Sequence, residues 1–271
     1  KSGDAKSARA LFEQMRSNGV VPTTMFFNMM INIHARTGDV MGASHWMSEM
    51  RACGVVADQV TFNTTLKAFR RSSDVEGAEA IMQDLQASGF KPMASEYRSL
   101  INTCLCSNRI DKAELWLEQM AQSGSADSSS YSAVIAALTI MGELKRASGW
   151  LERMDAAGLA AMAGTYNALV QAMAKGGDTS AAEALLQRCR NSQLDISGAT
   201  YNALISAWSK ECNPDRAEHW LKKSVDTAKA DVASFSAVIH ACAKANDLRR
   251  AEHLLEQMEQ TGIAANVVTF N

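Results

Sequence analysis

Much that usually announces a function is missing from this chain. Positive charge is not in excess: 27 Lys and Arg stand against 29 Asp and Glu, for a net charge of −2. There is thus no gross polybasic signature of a nucleic-acid binder, although a local basic stripe remains compatible with the balance. The six cysteines, Cys53, Cys104, Cys106, Cys189, Cys212 and Cys242, include no CxxC and read as scattered reduced thiols. No stretch approaches the ~18 apolar residues of a membrane span, and no signal or transit peptide is visible. His34, His45, His219, His240 and His253 lie mostly on predicted helices without a Cys or carboxylate partner at ligand spacing, and read as packing or surface residues. The HxE and PCxxC pair of base deaminases is absent, as is a Gly-rich phosphate loop. The expectation is no enzyme, no metal, no cofactor, no small-molecule substrate and no membrane contact.

What the chain does have is a repeat. An aromatic residue returns as Phe27, Phe62, Tyr97, Tyr131, Tyr166, Tyr201, Phe235 and Phe270, every 34 or 35 residues, and all four tyrosines fall in this slot. Sixteen residues after each of the first seven stands an alanine: Ala43, Ala78, Ala113, Ala147, Ala182, Ala217 and Ala251. Ala8 belongs to a unit whose beginning is missing. Self-similarity at this period marks a stacked-repeat architecture rather than a globular domain.

Within a unit the apolar spacing predicts two helices. Residues 1–23 supply a second helix only, opening near Gly3-Asp4, carrying Ala8, Leu11, Phe12 and Met15, and closing at Gly19 and Pro22. Seven whole units follow: 24–58, 59–93, 94–127, 128–162, 163–197, 198–231 and 232–266; residues 267–271 open another. Both ends cut through a repeat, so the chain reads as a fragment. In the unit 24–58 the first helix has Phe27, Met30, Ile31 and His34 on one face. Gly38-Asp39 makes the turn and N-cap, and the second helix carries Ala43, Trp46, Met47 and Met50 before Gly54. In the unit 163–197, Gln193 stands where the closing glycine is expected. The alanines suit close helix approach. Trp46, Trp116, Trp150 and Trp220 share one slot beside Leu or Met and are expected to fill the seam between helices rather than stack on a ligand. No unit can bury its apolar face alone, so the prediction is an all-α solenoid of helical hairpins.

Two families have hairpins of about this length. Tetratricopeptide repeats share the alanine but expect Trp-x-x-Leu-Gly in the first helix, where this chain has Tyr201-Asn-Ala-Leu-Ile205. TYNALISAWSK followed by AEHWL, together with FEQMRSNGVVPT and LEQMEQTGIAANVVTFN, resembles pentatricopeptide repeats of the plain 35-residue type along the whole chain. That resemblance implies a right-handed superhelical α-solenoid that binds single-stranded RNA, one nucleotide per repeat. It implies a place in mitochondrial or plastid RNA processing, stabilisation or translation. A protein–protein scaffold with little RNA binding is the alternative.

The resemblance also assigns residues. The position after the aromatic and the last position of the unit together read a base: Asn28 with Asp58, Asn63 with Met93, Arg98 with Asp127, and Ser132 with Met162. Asn167 with Ser197, Asn202 with Asp231, and Ser236 with Asn266 follow. By the family's pattern these give uracil, three unassigned bases, then cytosine, uracil and adenine, on a strand parallel to the protein. Nine residues after the aromatic stand Arg36, Arg71, Lys175, Lys210 and Lys244, a line of charge suited to phosphates, with Cys106 and Ile140 in the middle units. An aliphatic residue two before the aromatic packs on the base in this family. Met25, Val60 and Val268 suit that role; Ser95, Ser129, Gly164, Ala199 and Ala233 do not.

Overall fold

A computed structural model describes residues 2–70, 72–266 and 269, with side chains from residue 9 onward. Ala8, Val268 and Phe270 of the repeat slots therefore lie outside the side chains described. Among the described residues there are fifteen α-helices and no strand. They divide into two compact units, 1–134 and 135–271, the division falling inside one helix.

The first unit holds α1 (Ser2–Ser17), α2 (Thr24–Thr37), α3 (Val40–Ala52), α4 (Gln59–Phe69), α5 (Val75–Ala87), α6 (Ala94–Cys106) and α7 (Ile110–Gln122). Helix α8 (Ser128–Met141) carries the division. The second unit continues with α9 (Leu144–Ala156), α10 (Ala163–Gly176), α11 (Thr179–Asn191), α12 (Gly198–Lys210), α13 (Pro214–Asp226), α14 (Val232–Lys244) and α15 (Leu248–Gln260). Helix α1 begins two residues ahead of the expected Asp4. In each unit the even-numbered first helices lie side by side, α2 on α4 on α6 and α10 on α12 on α14, while the odd-numbered second helices pack behind them.

The core follows the repeat slots. The seven slot aromatics from Phe27 to Phe235 are buried, and six of the seven slot alanines are fully inaccessible. A larger side chain there would force the paired backbones apart. Trp46, Trp150 and Trp220 fill the seam as expected. Trp116 differs: it is half-buried, and its indole N–H donates to Glu79 Oε1 of the preceding second helix at 3.1 Å. His34 also departs from expectation. Its Nδ1 sits 2.8 Å from the carboxylate of Asp39, and its Nε2 accepts from the Trp46 indole at 3.1 Å. The ring thereby ties the two helices of one hairpin together.

Ion pairs lace the second helices across neighbouring repeats. Arg51 meets Asp84 at 2.6 Å, Lys112 meets Glu79 at 2.7 Å, Arg216 meets Glu183 at 2.6 Å and Arg250 meets Asp215 at 2.6 Å. Their partners stand 33 to 35 residues apart, so each pair ties one second helix to the next.

The turns keep a left-handed residue even where the sequence withholds glycine. Gln193 stands at φ +54°, as does Ala228, with Cys212 at +55°. A β-carbon in that region costs roughly 1–2 kcal/mol. Ala228→Gly should therefore stabilise the chain, by about 0.5–1 kcal/mol once the glycine's extra unfolded-state freedom is subtracted. A urea midpoint that falls instead of rising would refute this. All six cysteines are free thiols. Burial pushes the Cys104 thiol up to about 11, which leaves it chemically quiet.

Candidate nucleic-acid interface

Each first helix begins at an N-cap that is also the last residue of the preceding repeat. Asp58 caps α4, accepting the Thr61 N–H at 2.8 Å; Asp231 caps α14, accepting the Ser234 N–H at 2.9 Å. The residue following the aromatic reaches the same spot from the neighbouring first helix. Asn28 donates its amide to Asp58 at 3.2 Å, and Asn202 donates to Asp231 at 2.9 Å. The structure thus brings these two predicted pairs into direct contact.

A third member was not anticipated. The hydroxyl immediately before the next aromatic closes the cluster: Thr61 donates to Asn28 Oδ1 at 2.6 Å, and Ser234 to Asn202 Oδ1 at 2.5 Å. Thr200 does the same for Asn167 at 2.8 Å. Thr61, Thr200 and Ser234 are fully buried. The signal was available, since Thr61, Ser130, Thr165, Thr200, Ser234 and Thr269 recur directly before an aromatic.

These bonds decide what each amide still offers. An ionised carboxylate only accepts, so Asp58 and Asp231 turn the amide nitrogens toward themselves and the carbonyls toward the hydroxyls. Asn28 and Asn202 each keep one N–H and one oxygen lone pair, a donor and an acceptor side by side. Asn167 is held otherwise. Its oxygen accepts from both the Thr200 hydroxyl and the Ser197 N–H (3.3 Å), and its amide donates to the Asp195 carbonyl at 3.2 Å. One N–H remains, and no acceptor.

Burial pulls the Asp58 and Asp231 carboxyls upward. Hydrogen bonds from the backbone N–H of Thr61 or Ser234, and from the amide of Asn28 or Asn202, outweigh it and leave both below the usual carboxylate value. A folded pKa lowered in this way contributes stability above the unfolded value of ~3.9, and that stability is lost as pH falls through the folded value. The double variant Asp58→Asn/Asp231→Asn should therefore show a shallower loss of melting temperature below about pH 4. Parallel acid melting curves for the two proteins would count against it.

The other predicted pairs are less regular. Asn63 donates to Ser95 at 3.2 Å, while its Oδ1 is buried without a partner; Met93, half exposed, offers it nothing. There the hydroxyl slot holds Glu96, fully buried, which accepts from the Met93 N–H at 3.2 Å and the Ser95 hydroxyl at 2.8 Å. Arg98 reaches Asp127 loosely, at 3.5 Å. Ser236 is buried with its hydroxyl 2.9 Å from that of Thr269, whose N–H Asn266 caps at 3.1 Å.

Arg36, Lys175, Lys210 and Lys244 are exposed in the last turns of α2, α10, α12 and α14. Unlike the stitched cations of the second helices, they have no carboxylate partner among the described residues. Arg71 lies outside the described residues. Cys106 and Ile140, in the same slot, are exposed. Met25 and Val60, beside the first two amides, are exposed as well. No group of His, Cys, Asp and Glu among the described residues could hold a metal ion, and no described helix is long and apolar enough to cross a membrane.

Comparison with family models matches residues 1–137 to the pentacotripeptide-repeat region of PRORP. Residues 151–211 match a pentatricopeptide repeat domain, 230–271 the PPR repeat family, and 129–159 and 199–226 the PPR repeat. No curated protein sequence matches. Among solved structures, the maize pentatricopeptide repeat protein PPR10 is similar at 20% identity and a TM-score of 0.52, over 100% of this chain and 43% of that one. PPR10 in complex with an 18-nt psaJ RNA element reaches 24% and 0.59, over 100% and 40%. Nuclear proteinaceous RNase P 2 from Arabidopsis thaliana gives 18% and 0.58, over 67% and 41%. The chain thus spans about two fifths of the length of these proteins.

Proposed function

Because this chain belongs to the pentatricopeptide repeat family, we propose that it is a sequence-selective module for single-stranded RNA, taking one nucleotide per repeat. The observation that carries this reading is the recurring cluster of amide, cap residue and neighbouring hydroxyl, which leaves each amide a defined donor or acceptor. A free N–H beside a free lone pair complements O4 and N3–H of uracil, which supports uracil at Asn28/Asp58 and Asn202/Asp231. A lone N–H meets the bare N3 of cytosine and repels the N3–H of uracil, which supports cytosine at Asn167/Ser197. The family's pattern adds adenine at Ser236/Asn266. Asn63, Arg98 and Ser132 carry no base assignment. The unpaired Arg36, Lys175, Lys210 and Lys244, with Arg71, would follow the phosphates. Bound in this way, a transcript is shielded from nucleases or kept from pairing, in a mitochondrion or plastid.

A second reading is a scaffold for a protein partner. It draws on Ile140, 86% exposed where other repeats carry a base, and on the near-balanced charge.

Selection from randomised short RNAs tests the two. Enrichment of U, a three-base gap, then C-U-A supports the first reading, and no retention at low salt rejects it. Five phosphate contacts on a single strand give a log–log salt slope of about −3.5. Lys175→Gln/Lys210→Gln/Lys244→Gln should reduce that slope by about 2, and an unchanged slope would remove these lysines from the interface.

A further inference from the structure

One repeat carries more positive charge than a line of phosphates calls for. Lys67 stands five residues after Phe62, and Arg70 eight after it; neither slot holds Lys or Arg in any other repeat. Both are exposed on or just past α4. They line a groove of about 570 Å³ with Arg36 of α2 and Arg98 of α6, and no carboxylate among the described residues lines it. Arg36, Lys67 and Arg70 have no acidic partner among the described residues; Arg98 has only the loose contact to Asp127. The amides of Asn32 and Asn102, also in the groove, make no side-chain hydrogen bond among the described residues.

We infer that this groove binds the phosphorylated end of an RNA strand, a ribonucleotide bearing a phosphate monoester. Its volume falls within the usual range of ligand pockets, ~300–1,000 Å³. An internal phosphodiester carries a single charge, which one cation per repeat already matches. A monoester carries about −1.5 to −2 charges near neutral pH and three strong acceptor oxygens. An ammonium and guanidinium forks converging without a counter-charge are the complement of such a group. The amides of Asn32 and Asn102 remain for the base or sugar. This inference rests on the RNA reading above, but its chemistry can be tested apart from it.

The experiment compares one short oligoribonucleotide ending in a 5′-phosphate, a 3′-phosphate or hydroxyls only, on the native chain and on Lys67→Gln/Arg70→Gln. Both substituted residues are exposed and outside the core, so the fold is retained. Uridine monophosphate against uridine, followed by NMR shifts, forms a second arm. A preference on the order of tenfold for one phosphorylated end is expected, because the monoester brings roughly one more negative charge and further acceptor oxygens to Lys67 and Arg70 than a hydroxyl end does. It should vanish in the double variant; whichever end is preferred identifies the source of the monoester. Equal affinity for all three strands, or a preference that survives the double variant, overturns the proposal while leaving RNA binding intact. Loss of all strand binding, with the monophosphate still bound through Lys67 and Arg70, rejects the RNA reading and keeps the monoester site. Failure of both arms rejects both.

Discussion

Ser197→Asp is expected to switch the base preferred by the repeat 163–197 from cytosine to uracil. Ser197 now leaves its N–H free to bond Asn167 Oδ1 at 3.3 Å, and with the Thr200 hydroxyl it saturates that oxygen. An aspartate at the cap would draw the Asn167 amide nitrogen toward its carboxylate, as Asp58 does with Asn28 and Asp231 with Asn202. One lone pair would then be released to meet the N3–H of uracil. Aspartate caps a helix as well as serine does, so the fold should be untouched. Leaving one buried donor or acceptor unmet costs about 1–3 kcal/mol, which sets the reversal in relative affinity at roughly 5- to 150-fold. Competition between two RNAs differing only at that base measures it. An unaltered C-to-U ratio would mean that the hydrogen-bond count at Asn167 does not govern the choice.

Trp220→Ala is expected to be the most damaging single change to stability, at about 3–5 kcal/mol. Trp220 is only 1% exposed, packs at a tilt against Tyr201 with ring centroids 6.4 Å apart, and lies under the Lys223 ammonium. Its indole N–H is buried without a partner among the described residues, so Trp220→Phe should cost far less. In a stacked array the loss falls on the repeat and its immediate neighbours rather than the whole. Hydrogen exchange should quicken first in α12 to α14. Uniform acceleration throughout both units would contradict that locality, and a loss below about 1 kcal/mol would show that the seam can close over the gap.

The hairpins were legible because a buried aromatic and a buried alanine each mark one side of a helix contact, and contacts of that kind tolerate few residue types. Phe27, Tyr201 and Ala113 announce their burial by recurrence alone. Trp116 shows where recurrence misleads: it shares the slot of Trp220, but Glu79 offers its N–H a partner outside the seam. The paired amides and caps came from family resemblance and not from spacing. Thr61, Thr200 and Ser234 went unread because each serves the repeat before its own. Reading one repeat at a time makes such a residue look like a helix-start hydroxyl and nothing more. Lys67 and Arg70 escaped for the opposite reason. They occur once, and periodicity marks only what recurs.

The buried hydroxyl that closes the Asn28, Asn167 and Asn202 clusters also fixes where the array can be cut and rejoined. A graft ending at Asp58 would carry Asn28 and its cap but leave Thr61 behind, handing the amide to whatever residue the recipient provides. The portable cassette ends three residues later, after the hydroxyl. Repeats exchanged with that boundary keep their reading head whole; those joined at the apparent seam inherit part of it from a stranger.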